Sequence, residues 1–253
     1  MKDNGYDNSF YAGQMTGSVR SASVIVPMFQ SWFGATSVVD IGCGVGGWLS
    51  VFRQNGASTV LGMDGDYVDR SALKISADEF RAADLGKPQQ LGRFDAAISM
   101  EVAEHLPGEA ADGFVETLVK AAPVVLFSAA IPHQGGVHHV NEQWQSWWAE
   151  RFAAFGYVAL DCIRPLVWRD TSIEPWYRQN AVVYCVPGRV PAGMSPVSDL
   201  RALDMVHPDQ WAMMGDSMSR MIRKPQSLRQ ALDTISLSGR VFGGRIAAKL
   251  GFA

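Results

Sequence analysis

The stretch VVDIGCGVGGWLSVF, residues 38–52, constrains the fold more than any other part of the sequence. An apolar run leads into Asp40, and four glycines follow shortly after it: Gly42, Gly44, Gly46 and Gly47. Such a pattern predicts a strand, a tight turn and the start of a helix. Without side chains, the turn can bend sharply and admit a ligand's polar groups to the helix N-terminus. We therefore predict a ligand-binding turn here, although dinucleotide-binding proteins share the glycine pattern.

Short β-prone runs alternate with helical patterns through most of the chain. A helix is predicted for residues 19–33, and EAADGFVETLVKAA, residues 109–122, places its apolar side chains on one helical face. Alternating strands and helices predict a parallel sheet covered on both faces, that is, an α/β, doubly wound fold. The predicted strands are residues 37–41, 59–63, 80–83, 94–100, 124–131, 157–163 and 181–186.

The pattern divides the chain into three parts. Residues 1–36 are predicted to form an N-terminal arm, rich in Asn, Asp, Gly and Ser, followed by a lid helix. Residues 37–186 carry the strand–helix alternation. The remainder, residues 187–253, begins with the linker-like PGRVPAGMSPVS and continues as a helical C-terminal tail.

Charge is unevenly distributed along the chain. The net charge is −3, yet from Met218 onward seven basic residues face a single acid, Asp233. The rest of the chain is strongly acidic, which argues against nucleic acid as a partner. The basic tail either packs on its own domain as a solvated appendage or contacts an acidic partner or an anionic membrane surface.

Cysteine content and hydropathy indicate the compartment. The three cysteines, Cys43, Cys162 and Cys185, lie in apolar runs and are odd in number, which predicts buried thiols rather than disulfides. Residues 1–18 lack a secretory signal pattern, and no apolar run reaches the roughly 20 residues that span a bilayer. We expect a cytoplasmic protein. Its oligomeric state is not encoded in any feature of the sequence.

Asp40 favours a ligand other than a dinucleotide. A carboxylate at the end of the strand would repel a pyrophosphate but attract a ligand's ammonium or sulfonium. Further acids follow the next strands, with Asp64 in VLGMDGD and Asp84 in FRAADL. The stretch FDAAISMEVAEHLP, residues 94–107, then covers a strand and the loop after it.

Over residues 37–186 these motifs resemble those of class I S-adenosylmethionine-dependent methyltransferases. The resemblance implies a seven-stranded, mostly parallel, Rossmann-like sheet. It also implies that Asp64 accepts hydrogen bonds from the ribose hydroxyls and that Asp84 lies near the adenine. The alternative for Asp84 is an acid that caps a loop. The cofactor residues so predicted are Asp40, Gly42, Gly44, Gly46, Asp64, Asp84 and Ser99.

A group of acids and histidines suggests where the acceptor's proton goes. If residues 100–106 form a helical turn, Glu101, Glu104 and His105 share one face. Two carboxylates and an imidazole could hold Mg²⁺ or Zn²⁺, which would lower the pKa of a bound hydroxyl. The segment PHQGGVHHVNEQW supplies the nearby His139, together with His133 and His138, which we expect to be structural.

The E-x-x-E-H cluster with a later histidine resembles two metal-dependent groups of the superfamily. They are the small-RNA 3′-terminal 2′-O-methyltransferases and the ubiquinone-pathway O-methyltransferases. We predict Glu101, Glu104, His105 and His139 as metal ligands, and Glu101, His105 and His139 as catalytic residues. Two alternatives remain open: His139 acts as a metal-free general base, or the histidines only shape their loop.

The residues before the predicted last strand suggest the acceptor. Aromatic and amide side chains crowd the stretch WYRQN, residues 176–180, after Trp168, and such a set suits a sugar. The wider pattern resembles methyltransferases of bacterial surface-glycan and secondary-metabolite pathways. We therefore expect an O-methyltransferase acting on a sugar, glycan or small metabolite. The alternatives are an RNA 3′-terminal 2′-O-methyltransferase, a non-catalytic S-adenosylmethionine-binding subunit and, less consistent with Asp40, an NAD-dependent dehydrogenase.

Overall fold

The structure is a computed structural model that describes residues 8–222, with side chains described for residues 17–216. Of these, the residues up to Trp211 belong to one compact unit and those from Ala212 onward to a second. Residues 1–7 and the basic stretch predicted from Met218 onward fall outside the residues whose side chains are described. No helix in the described part of the chain is both long enough and apolar enough to cross a bilayer.

The described part of the chain contains seven strands and seven helices, with short 3₁₀ turns between some of them. The strands are β1 (Ser37–Ile41), β2 (Thr59–Asp64), β3 (Phe80–Ala82), β4 (Ala96–Met100), β5 (Val124–Ser128), β6 (Val158–Leu160) and β7 (Val182–Cys185). The helices are α1 (Asn8–Phe33), α2 (Gly47–Gln54), α3 (Ala111–Ala121), α4 (Gln145–Ala154), α5 (Arg164–Val167), α6 (Pro175–Asn180) and α7 (Pro208–Ile222).

The strands form one sheet in the order β3-β2-β1-β4-β5-β7-β6. Only β7 runs antiparallel to its neighbours, β5 and β6. Helices α1 and α2 pack on one face of the sheet, and α3 and α4 on the other, each over its own apolar core. This confirms the predicted doubly wound, mostly parallel fold. The strand order reverses between β1 and β4, and in open α/β sheets ligands bind beside such a switch point.

Several predicted boundaries were wrong. The predicted strand 124–131 ends at Ser128, because Ala129–Ile131 are buried without pairing in the sheet. The strands predicted for residues 94–100 and 157–163 are shorter for the same reason, since an apolar run reports burial rather than ladder hydrogen bonds. The helix predicted from Val19 begins at Asn8, so residues 8–18 of the predicted arm are helical.

Tertiary contacts fix α1 to the loop between α5 and α6. The guanidinium of Arg20 donates to Glu174 at 2.7 Å and to the carbonyl of Ser172 at 2.6 Å. The hydroxyl of Ser21 accepts the N–H of Glu174 at 3.0 Å. Gly17 allows this approach, because a Cβ there would lie 2.2 Å from the Glu174 carboxylate. These contacts place α1 beside the carboxyl edge of the sheet.

Candidate active site

The predicted glycine turn connects β1 to α2. Gly42 has φ 94°, Gly44 φ 52° and Gly46 φ 81°, all in the left-handed region that favours glycine. The N–H groups of Gly42 and Cys43 donate to the carbonyl of Met63 at 2.8 and 3.0 Å. The turn is therefore held against the end of β2, and at Gly44 no described heavy atom lies within 4 Å of the Cβ position, which leaves space for a ligand there.

Two buried acids lie beneath this turn. Asp40 is 2% exposed and Asp64 is 5% exposed. The carboxylate of Asp64 accepts the N–H of Gly44 at 2.7 Å through Oδ2, and the hydroxyl of Tyr67 at 2.5 Å through Oδ1. Burial, and then the charge of Asp64, raise the pKa of Asp40 well above its usual value. A bound positive charge would offset both effects.

The other two predicted cofactor residues lie elsewhere. Asp84 is exposed, and it forms an ion pair with Lys87 at 2.9 Å and accepts the N–H of Gly86 at 3.1 Å. These contacts, led by the hydrogen bond from Lys87, lower the pKa of Asp84. Ser99 is fully buried, and its hydroxyl donates to the carbonyl of Ile41 at 2.8 Å. In this structure Asp84 caps a loop and Ser99 joins β4 to β1.

The loop after β4 does not form the predicted helical turn. Glu101 has φ 57°, and only Ala103–His105 make a 3₁₀ turn. The N–H of Glu101 donates to both the carbonyl and the hydroxyl of Ser128, at 3.0 and 3.1 Å. This pairing with the end of β5 draws Glu101 away from helical geometry. The prediction of one shared helical face was therefore wrong in its backbone conformation.

Three of the four predicted metal ligands come together. Within the described part of the chain, Glu104, His105 and His139 place one ligand atom each within 4.8 Å of one another. Both carboxylate oxygens of Glu104 are buried, and no described residue is within hydrogen-bonding geometry of them. Burial, and then the charge of Glu101, raise the pKa of Glu104 well above its usual value. These features fit a cation site.

The two histidines are oriented by their surroundings. Nδ1 of His139 lies 2.9 Å from the carboxylate of Glu142, which leaves Nε2 for another partner. A carboxylate on the outer nitrogen is a common support for a metal-bound histidine. The rings of His105 and His139 meet edge to face at 4.8 Å. Burial and the neighbouring His139 lower the pKa of His105, which favours the neutral, ligating form.

The fourth predicted ligand, Glu101, lies outside this group of three. Its two carboxylate oxygens accept hydrogen bonds from Gln134 at 2.9 Å and from Asn180 at 3.1 Å. Burial, the largest effect, raises its pKa despite these bonds. His133 and His138 are exposed, have left-handed backbones and do not join the group either.

The residues suggested for sugar binding are mostly internal. Tyr177, Arg178, Gln179 and Asn180 are all buried. Arg178 donates to Asp209 at 2.8 Å and contacts His207 at 3.2 Å. Asn180 alone of the four bonds directly to Glu101. Sequence reasoning noted Glu142 three residues after His139 but missed Gln134, for which a position within the histidine-bearing loop was the only available signal.

Comparisons with known proteins identify the family and the fold. A family model described as a methyltransferase domain matches residues 19–163. No curated protein has detectable similarity to the sequence.

Several solved structures share the fold at low sequence identity. The methyltransferase domain of bacterial CtHen1 matches with a TM-score of 0.50 and 19% identity over 66% of this chain and 97% of that one. An O-methyltransferase family protein from Burkholderia thailandensis matches with a TM-score of 0.52 and 14% identity over 72% and 60%. Magnesium protoporphyrin IX methyltransferase from Synechocystis PCC 6803 matches with a TM-score of 0.50 and 19% identity over 71% and 83%.

Proposed function

The chain belongs to the methyltransferase domain family as a class I S-adenosylmethionine-dependent enzyme, and we propose that it methylates a hydroxyl group of a sugar, glycan or small metabolite. We further propose that a divalent cation assists the reaction. The observation that carries the proposal is the buried carboxylate of Glu104, which makes no well-aligned hydrogen bond, beside two histidines.

The cofactor side of the proposal rests on the turn and the acids beneath it. The glycine turn leaves the backbone open to the methionine portion of the cofactor. Asp64, at the end of β2, would accept the ribose hydroxyls in place of the hydroxyl of Tyr67. Asp40 would face the positive charge of the sulfonium. Asp84 is proposed to meet the adenine only if its ion pair with Lys87 opens.

The cation side rests on the donor set. The ion would be held by Glu104, His105 and His139. One carboxylate and two imidazoles suit Zn²⁺ and related divalent ions, and they bind Mg²⁺ less tightly. When bound, the cation would lower the pKa of the acceptor hydroxyl. Glu142 would keep Nε2 of His139 directed at the ion.

Glu101 is proposed to handle the proton of the acceptor. Its carboxylate adjoins Glu104 and keeps a lone pair on each oxygen beyond the bonds to Gln134 and Asn180. Glu101 would accept the hydroxyl proton as the oxygen bonds the methyl carbon and the electron pair of the carbon–sulfur bond passes to sulfur. The chain's main contribution is then alignment, because the sulfonium is already a reactive methyl donor.

The chemistry around Glu101 supports a neutral polyol as the acceptor. Carboxamides and a carboxylate match hydroxyl groups, and the acidic balance of the chain outside its basic tail disfavours a phosphate backbone. The three unpaired cysteines support the cytoplasm as the place of action.

Calorimetry would test the cofactor and cation together. We expect metal-free protein to bind S-adenosylhomocysteine and, separately, one or more of Zn²⁺, Mn²⁺ and Mg²⁺. Glu104→Gln and His139→Asn should weaken cation binding by at least tenfold and leave S-adenosylhomocysteine binding within about threefold. His133→Asn is the matched control, because this histidine lies in the same loop outside the group of three and asparagine tolerates its left-handed backbone.

A panel of acceptors would test the substrate class. Wild-type protein with methyl-labelled cofactor should label sugars or polyols in the presence of the cation. Labelling only of RNA 3′ ends would overturn the acceptor class. If Glu104→Gln still binds S-adenosylhomocysteine and its affinity for the cation equals that of wild type, the proposed cation site is wrong.

A further inference from the structure

A relay of side-chain amides runs from the segment after β7 to the carboxylate of Glu101. The backbone N–H of His207 donates to Oε1 of Gln179 at 2.9 Å. Nε2 of Gln179 donates to Oε1 of Gln134 at 3.0 Å and to Oδ1 of Asn180 at 3.1 Å. The amides of Gln134 and Asn180 then donate to different oxygens of Glu101, at 2.9 and 3.1 Å.

The direction of this relay is fixed at both ends. A backbone N–H can only donate and a carboxylate can only accept, so each amide between them has a single orientation that satisfies its neighbours. Flipping one amide would bring two donors or two acceptors together. Gln179 and Asn180 are 0% and 2% exposed, so water cannot replace the lost bond. Two donors are thereby held at Glu101.

The anchor of the relay is itself held firmly. His207 is 3% exposed, and its Nε2 lies 2.7 Å from the carbonyl of Trp168. Its Nδ1 accepts the N–H of Asp209 at 3.1 Å, and its ring packs at 4.4 Å from the ring of Trp168. Gln145 reaches the same segment through a bond to the carbonyl of Met205 at 3.2 Å.

The anchor lies outside the part of the chain that matches the family. The family model ends at residue 163, and the strand–helix alternation ends with β7. The segment that carries His207 is nevertheless bonded to α6 and, through it, to the loop after β5 that supplies Gln134 and His139. A part of the chain added to the family domain is thus connected to the proposed acceptor site.

Glu101 requires such support because its backbone is strained. A non-glycine residue in the left-handed region costs about 1–2 kcal/mol, and it persists only where its surroundings hold it. The bonds that its N–H donates to Ser128 hold its main chain. The amides of Gln134 and Asn180 hold its carboxylate and leave one side of each oxygen for another donor.

We infer that Gln134, Gln179 and Asn180 are positioning residues that, anchored on His207, aim the carboxylate of Glu101 at the acceptor hydroxyl. This inference rests on the proposed function of Glu101. Gln179 does not touch Glu101, so its effect on the reaction passes entirely through the other two amides.

Two variants test the relay kinetically in the full-length protein. Gln134→Met and Gln179→Met each remove the amide while keeping the length of the side chain. Gln134→Met removes a hydrogen bond to the charged Glu101, which corresponds to a fall in kcat of about 10- to 100-fold, and Gln179→Met removes bonds between neutral groups, which corresponds to a fall of about 2- to 10-fold. We expect these falls, with S-adenosylhomocysteine and cation affinities unchanged within about threefold. Gln143→Met is the control, since Gln143 lies in the same loop and donates to Asn141 instead.

A structural measurement separates failure of the relay from failure of the proposed function. Crystal structures of wild type and Gln179→Met should show the Glu101 carboxylate ordered in the first and rotated or disordered in the second. The inference would be overturned if the Glu101 carboxylate had the same position in Gln179→Met as in wild type. It would also be overturned if the kcat of the relay variants equalled that of Gln143→Met. If no acceptor is methylated by wild type, the crystal comparison still decides it. Should Gln179→Met fail to fold, Gln134→Met carries the comparison, because Gln134 is partly exposed.

Discussion

Substitution of Gly42 by alanine would test how closely the cofactor turn is packed. Gly42 has φ 94°, and a Cβ built on it would lie 2.3 and 2.6 Å from the two methyl groups of Val102. Gly56, which follows α2, has φ 100°, but no described heavy atom lies within 4 Å of its Cβ position. The two glycines therefore share a backbone conformation and differ in the space around them.

The structure separates two costs of the substitution. An L-residue in the left-handed region loses about 1–2 kcal/mol, and the lower entropy of the unfolded chain returns about 0.4–1 kcal/mol of it. Gly56→Ala should therefore lose about 1 kcal/mol. Gly42→Ala adds the displacement of Val102, for which overpacking costs about 1–3 kcal/mol. Its total should be about 2–4 kcal/mol.

Urea unfolding followed by circular dichroism would measure both variants, and Val102→Ala would complete a double-mutant cycle. In the Val102→Ala background, the cost of Gly42→Ala should fall toward that of Gly56→Ala. Gly42 lies in the turn that is proposed to hold the cofactor, so displacing its backbone in Gly42→Ala should also weaken S-adenosylhomocysteine binding by about tenfold or more. Equal costs for the two glycines, or no relief from Val102→Ala, would refute the reasoning.

Three further predictions concern buried groups. Burial raises the pKa of Asp40, so the folded state holds the proton of this carboxyl more tightly than the unfolded state does. The contribution of Asp40 to stability therefore falls as the pH rises above about 4. Asp40→Asn should be more stable than wild type at pH 7, with a flatter pH dependence in urea unfolding, yet it should bind S-adenosylmethionine more weakly. The hydroxyl of Tyr157 donates to the carbonyls of Val119 and Ala122 at 2.9 and 2.7 Å, so Tyr157→Phe should lose about 1–2 kcal/mol of unfolding free energy. Burial raises the pKa of the Cys162 thiol to about 12; at pH 8 iodoacetamide should label it on the order of a thousandfold more slowly in folded than in urea-unfolded protein, as mass spectrometry would measure.

The fold was largely predictable because its signals are local. Strand–helix alternation and the apolar faces of residues 109–122 determine a parallel sheet with helices on both sides. The ends of the elements were less predictable. Ala129–Ile131 are as apolar as β5 itself, and only their lack of a pairing partner ends the strand. The contact of α1 with Glu174, more than 150 residues away, is likewise invisible in a local pattern.

The grouping of Glu104, His105 and His139 was predicted from the sequence, and the backbone geometry around it was not. The spacing of Glu104 and His105 in the sequence predicted that they lie together. The neighbouring ends of β4 and β5 predicted that His139 lies beside them. Spacing could not show that Glu101 has a non-helical backbone, because its N–H donates to Ser128, which lies on another strand. Nor could it show the amide relay, whose members are separated by tens of residues and meet only after the sheet has formed.

The two sides of the site reverse the backbone by different means. On the cofactor side, the left-handed positions are Gly42, Gly44 and Gly46, where the backbone itself must face the ligand. On the acceptor side, the non-glycine residues with left-handed φ in the described part of the chain are Glu101, His133 and His138. Strain of this kind is retained where a side chain is needed at a position that glycine would otherwise occupy. Two amides hold the carboxylate of Glu101 in place. The retained strain at this residue is therefore the strongest reason to place the acceptor beside it.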